Sequence, residues 1–169
     1  MRAGFIGAGK VGFSLGKYLK ENGVEITGYF SKSPESAKSA ADFTNTKLYK
    51  SIEDILSDSD TLFITVPDGQ ISKVWDYMKN LDIKNKNICH CSGSIPSTVF
   101  FDAENRGAYR YSIHPLYAIS SKATSYLDLG KACFTIEGSD AHLAELKALF
   151  SEMGNTVVAI SPDSKALYH

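Results

Sequence analysis

The residues best suited to do chemistry in this chain start with Gly7, Gly9 and Gly12. They follow the short apolar run Ala3 to Ile6, which reads as a buried first strand, and a helical pattern begins directly after them. The G-x-G-x-x-G spacing therefore stands in the strand–turn–helix context that gives it meaning. Gly7 permits the tight turn, Gly9 lets a pyrophosphate approach the backbone without meeting a Cβ, and Gly12 lets the helix pack closely on the strand. Free N–H groups of the first helical turn then point at the phosphate. The stretch Gly7, Ala8, Gly9, Lys10, Val11 and Gly12 is thus expected to bind a dinucleotide, with an incidental glycine-rich loop as the alternative.

Other polar residues fall at the ends of later strands. Ser31-Lys32-Ser33 follows a strand read over Val24 to Phe30, and no acid occurs between Thr27 and Pro34. An acid at that place would accept from the ribose 2′-hydroxyl of NAD, whereas a 2′-phosphate wants a cation. The pattern favours NADP over NAD, against the plain alternative of one solvated lysine. Val66-Pro67-Asp68 ends the apolar strand that starts at Asp60, Ser92-Gly93-Ser94 follows Asn87 to Cys91, and His114-Pro115 follows Tyr109 to Ile113. In open α/β sheets ligands bind outside the carboxyl ends of the strands, so this clustering on one rim says more than any single motif. Val66, Pro67 and Asp68 would line the nicotinamide ribose. Ser92 and Ser94 would orient a substrate carboxylate or carbonyl, or the nicotinamide amide; a Gly-Ser turn is the alternative. His114 titrates near neutrality and could exchange the proton that accompanies hydride transfer, or else be a strand-end histidine bonded to backbone.

The elements that must position these residues alternate. Helices are expected after the glycine loop up to Asn22-Gly23, from Pro34 to about Phe43, over Ile52 to Leu56, from Ile71 to Met78, over Pro96 to Asn105 and across 140–153. Short strands are expected at Lys47 to Tyr49, Ala132 to Glu137 and Thr156 to Ile160, and a structureless loop from Leu116 to Gly130. About eight strands alternating with helices give a doubly wound, mostly parallel α/β sheet of the Rossmann type over residues 1–160. Ser161-Pro162-Asp163 looks like a helix start, yet only a few residues follow. Residues 161–169 are therefore read as the opening of a helical domain that this sequence lacks.

Composition narrows the function classes. The 169 residues are 43% hydrophobic and 22% charged, as in a soluble globular domain, and the net charge of -1 offers no basic footprint for nucleic acid. No apolar run approaches a membrane span, and the cysteine count of 3 suits a reducing, cytoplasmic setting. Cys89 and Cys91 alternate on one strand and share a face, with His90 opposite; they read as core thiols, and no metal site is expected. There is no G-x-S-x-G elbow to suggest a hydrolase. His142 is expected to be solvated on its helix, and Trp75 to sit in the core.

With these motifs placed, the chain resembles Rossmann-like oxidoreductases related to pyrroline-5-carboxylate reductase and prephenate dehydrogenase, of the 6-phosphogluconate dehydrogenase-like superfamily. The carrying residues are Phe5 to Gly12, Val66-Pro67-Asp68, His90 to Ser94, His114-Pro115-Leu116 and Asp163 to His169. It is similar above all to the subfamily in which this domain precedes a helical domain of unknown function. The resemblance implies that the helical domain completes the active site and makes a homodimer, and that Lys165 and His169 face a small-molecule substrate. It also implies catalytic roles for Ser92 or Ser94 and for His114, although the segment after Leu116 departs from the prephenate dehydrogenase pattern. The expected function is NADP-dependent hydride transfer to or from a small carboxylate-bearing substrate; a non-catalytic NADP-binding or regulatory domain is the competing reading.

Overall fold

The computed structural model describes residues 1–167. Eight strands form one sheet in the order β3-β2-β1-β4-β5-β6-β7-β8. They are β1 (Arg2–Ile6), β2 (Glu25–Phe30), β3 (Lys47–Leu48), β4 (Thr61–Ile64), β5 (Asn87–His90), β6 (Tyr109–Leu116), β7 (Cys133–Gly138) and β8 (Thr156–Ala159). The helices are α1 (Lys10–Glu21), α2 (Pro34–Thr44), α3 (Ile52–Asp58), α4 (Asp68–Met78) and α5 (Asp140–Glu152). The strand order reverses between β1 and β4, so the glycine turn after β1 opens at the switch point, where a doubly wound sheet leaves its crevice.

The local reasons are readable. Ser33 caps α2 by accepting from the Ser36 N–H at 3.4 Å, with Pro34 at the first turn, and Ser51 caps α3 by accepting from the Asp54 N–H at 3.2 Å. β4 is buried at every residue, as a central parallel strand covered on both faces must be. Alternate side chains feed two cores. Phe5 stacks between Tyr29 and Phe63, 5.2 Å from each, beneath α1 and α2. On the other face Ile6, Leu62, Ile64 and Ile88 pack against Ile55, Ile71 and Trp75 of α3 and α4.

Three sequence expectations need correction. Within the mostly parallel sheet, as expected, β7 runs antiparallel to its neighbour β6, pairing His114 with Thr135 and Pro115 with Phe134. The connection between them, read as a bare loop, holds two 3-10 turns at Ser125–Leu127 and Leu129–Lys131 and no crossover helix. Pro96 to Asn105 is not one helix but two 3-10 turns, Ser97–Val99 and Glu104–Arg106, because Asp102 takes a left-handed φ of 64° between them. Finally, His142 is not merely solvated: its Nδ1 lies 2.8 Å from Asn87 Oδ1 and its ring meets Tyr109 edge-on at 4.6 Å. Residues Pro162–Leu167 form 3-10 turns.

Candidate functional site

The glycine turn is held by its own geometry. Gly7 has φ +106°, and its N–H donates to Phe30 O at 2.8 Å. A Cβ on Gly7 would lie 2.7 Å from the Thr65 backbone, and one on Gly12 would lie 2.3 Å from Thr65 Oγ1 and 2.7 Å from Gly7 O. These two glycines are demanded by the packing of β1, α1 and the end of β4. Gly9 is different: a Cβ there would meet nothing within 4 Å. The space above Gly9 is open, and Gly9 caps α1 without any side-chain acceptor for the first-turn N–H groups. The turn therefore fits a pyrophosphate, which supplies the missing acceptors and claims the space a Cβ would fill.

Beside the turn lies a cleft of about 610 Å³. Its floor is Gly7, Ala8 and Gly9; Ser31 and Lys32 line one wall, and Thr65, Val66 and Pro67 line another. Of the remaining residues expected to bind cofactor, Lys10 is the exposed first residue of α1, Val11 packs on the core and Gly12 is buried. Ser33 is spent on capping α2 and does not line the cleft, and Asp68 lies just past Pro67 at the start of α4. Sequence reading missed Lys50, Ser51, Ile52, Gln70, Lys73, Val74 and Tyr77, all of which line the cleft. On α4 the signal was present, since Gln70, Lys73, Val74 and Tyr77 form their own i, i+3, i+4, i+7 stripe beside the core stripe. Glu53 is the one acid in the lining; its carboxylate accepts from the Tyr77 hydroxyl, which holds it below the usual carboxylate range.

The rim continues past the cleft through a connected polar set. Ser92 Oγ donates to Asp68 Oδ2 at 2.8 Å, and Ser94 Oγ donates to the same oxygen at 3.3 Å. Ser92 Oγ also accepts from the N–H groups of Ser94 and Ile95, at 3.2 and 3.1 Å. Ser92 is thus the buried hub of a tight turn, whereas Ser94 is exposed at its tip. His114 lies within β6 rather than at its end, as expected from sequence, but beyond the last residue that pairs with β5. Its Nδ1 is 2.9 Å from Cys91 O; a carbonyl only accepts, so Nδ1 carries a proton in this contact.

Lys165 lies beside the same turn. It is 1% exposed, and its ammonium donates to Ser92 O, to Ile95 O at 3.0 Å and to Ser112 Oγ. Its donors hold the Ser92–Ile95 turn from beneath. Burial pulls its pKa down, while the nearby Glu137, Cys91 and Asp68 pull it back up. Glu137, itself buried, accepts from the Ser97 N–H and Oγ, both at 2.6 Å, and so fixes the far end of the same loop. His169 lies outside the described residues. Cys89 and Cys91 are buried; burial pushes the Cys91 thiol up to about 12 and Cys89 well up too, so both are inert core thiols.

The comparisons with known proteins agree with this arrangement. The family described as NADP oxidoreductase, coenzyme F420-dependent, matches residues 2–89, which include every residue lining the cleft. No curated protein matches the chain. Among solved structures, protein BF3122 from Bacteroides fragilis is similar over 98% of this chain and 62% of its own, at 22% identity and a TM-score of 0.85. The 3-hydroxyisobutyrate dehydrogenase of Mycobacterium tuberculosis, solved with L-serine, is similar over 99% of this chain and 58% of its own, at 16% identity and a TM-score of 0.79. The prephenate dehydrogenase of Aquifex aeolicus, solved with hydroxyphenyl propionate and NAD+, is similar over 98% of this chain and 62% of its own, at 18% identity and a TM-score of 0.78. At such identities the likeness is one of fold, and this chain spans about three-fifths of the length of these structures. The match over more than half of the residues settles the family: the chain belongs to the coenzyme F420-dependent NADP oxidoreductases.

Proposed function

We propose that this domain binds NADP and, in the protein it serves, carries out hydride transfer to or from a small carboxylate-bearing substrate. The observation that carries the reading is the open space above Gly9, on a helix start with no side-chain cap, beside a cleft in which Ser31 and Lys32 stand where an NAD-specific site would place an acid. NADP, when bound, supplies or takes up the hydride. The chain's own residues then divide the work. First-turn N–H groups of α1 hold the pyrophosphate, Ser31 and Lys32 meet the 2′-phosphate, and Val66 and Pro67 border the ribose of the nicotinamide. Farther along the rim Ser94 is exposed for a substrate oxygen, and His114 moves a proton at Nε2. Support for the cofactor comes also from the family's description, which names NADP.

Titration of the chain with NADPH and NADH, followed by nicotinamide fluorescence, tests the cofactor. Tighter NADPH is expected; tighter NADH would overturn the reading of Ser31-Lys32. A panel of keto acids, imino acids and coenzyme F420, the last because the family's description names it, then tests turnover through loss of NADPH absorbance. Binding without oxidation by any member would favour a non-catalytic NADP-binding domain.

A further inference from the structure

The cationic end of the cleft carries more charge than the end of β2 alone explains. Lys32, Lys50 and Lys73 all line it, and among the described residues no carboxylate pairs with any of them. The contrast with Lys47 is instructive, because that lysine, on β3 just before Lys50, is neutralised by Asp58 at 3.0 Å. The only acid in the lining among the described residues, Glu53, is turned to the Tyr77 hydroxyl. Like charges gathered in a concave, partly apolar cleft repel one another unless an anion lies among them.

Two of these lysines follow neighbouring strands. β3 pairs with β2 in parallel, with Gly28 opposite Lys47 and Tyr29 opposite Leu48, and the Tyr49 N–H still donates to Tyr29 O at 2.8 Å. Past the ends of these two adjacent strands, Lys32 and Lys50 each contribute to the lining of the cleft, and the Ser51 hydroxyl is already used as the cap of α3. Lys73 stands on the opposite wall, on α4.

We infer that Lys50 is a specificity-determining residue, the second cation of a two-strand clamp with Lys32 that grips the 2′-phosphate of a 2′-phosphorylated adenine dinucleotide. The inference rests on the NADP reading above and adds to it a residue that follows β3 rather than β2. A dianionic phosphate between two ammonium groups makes charge-assisted hydrogen bonds to both, and a bare ribose hydroxyl gains neither. The preference is therefore electrostatic and weakens as salt rises.

The test is calorimetric titration of the 169-residue chain with NADPH, NADH, adenosine 2′,5′-bisphosphate and 5′-AMP. Wild type is compared with K50Q, K50R, K32Q and, as an outlying control on α5, K147Q. K50Q should weaken NADPH and the bisphosphate about tenfold while NADH and 5′-AMP change less than about twofold. K50R should keep most of the preference, and K147Q should behave as wild type. The inference is overturned if wild type and K32Q show that NADPH preference depends on Lys32 while K50Q leaves that preference intact, or if K50Q weakens NADPH and NADH equally. A wild-type chain that does not prefer NADPH overturns the cofactor reading itself, and Lys50's assignment with it.

Discussion

Gly9 and Gly12 share one motif but answer to different masters, and substitution should separate them. A methyl on Gly12 would press into Thr65 Oγ1 and Gly7 O, so Gly12→Ala should lower stability by roughly 1–3 kcal/mol, as overpacking does. A methyl on Gly9 meets no protein atom, so Gly9→Ala should fold with a loss of at most about 1 kcal/mol, the usual cost of a poorer N-cap. Its NADPH affinity should nevertheless fall at least about tenfold, because the methyl occupies the phosphate's approach. Urea unfolding beside NADPH titration reads both quantities; a Gly9→Ala protein that binds NADPH as wild type does would remove the pyrophosphate from this turn. At this scale the motif was legible because spacing alone encodes it. Lys50 was not legible, since what brings it to the cleft with Lys32 is the pairing of β3 with β2, which is not local in sequence.

The element that most needs outside support is the turn from Ser92 to Ser97. It is held from three sides: Asp68 of α4 takes the Ser92 hydroxyl, Lys165 takes the Ser92 and Ile95 carbonyls, and Glu137 of β7 takes the Ser97 N–H and hydroxyl. Lys165→Met keeps the apolar stem but leaves two carbonyls and the Ser112 hydroxyl short of a donor, at a cost of roughly 1–3 kcal/mol. Hydrogen exchange should quicken at the Ser94 and Ile95 amides, while the α1 amides beyond the glycine turn keep their protection. Unchanged exchange at Ser94 and Ile95 would show that the clamp is idle. Sequence patterns placed every strand of this sheet because buried strands and capped helices leave local marks. They did not reveal that β7 reverses direction, because the direction of a strand is set by its pairing with a distant neighbour and leaves no local mark. The failed helix over Pro96 to Asn105 has a similar cause. Phe100 and Ala103 are buried and Trp75 Nε1 donates to Phe101 O at 3.1 Å, so tertiary contacts hold the segment in two short turns.

For the molecule as a whole, one buried side chain couples stability to acid. His90 sits on β5 at the centre of the sheet, fully buried, with its ring edge-on to Phe100 at 5.4 Å. Its Nδ1 accepts from the Ser92 N–H at 3.2 Å, so the ring must be neutral there, and its Nε2 has no hydrogen-bond partner among the described residues. Burial first, and then the Lys165 ammonium, push its pKa from 6.5 down to about 3. The folded state therefore refuses a proton that the unfolded chain accepts. The sign follows: stability is full above pH 6.5, and it falls as pH drops from there toward about 3, where the folded state at last takes the proton. The slope is about 1.4 kcal/mol per pH unit, so roughly 2 kcal/mol is lost by pH 5. Carboxylates contribute their own acid dependence, and the difference between two proteins isolates the histidine. His90→Asn keeps an acceptor near the Ser92 N–H but cannot be charged. Urea unfolding at pH 7, 6 and 5 should show wild type losing about 2 kcal/mol more than His90→Asn over that range. Parallel losses in the two proteins would mean that His90 is not the group through which acid reaches the fold.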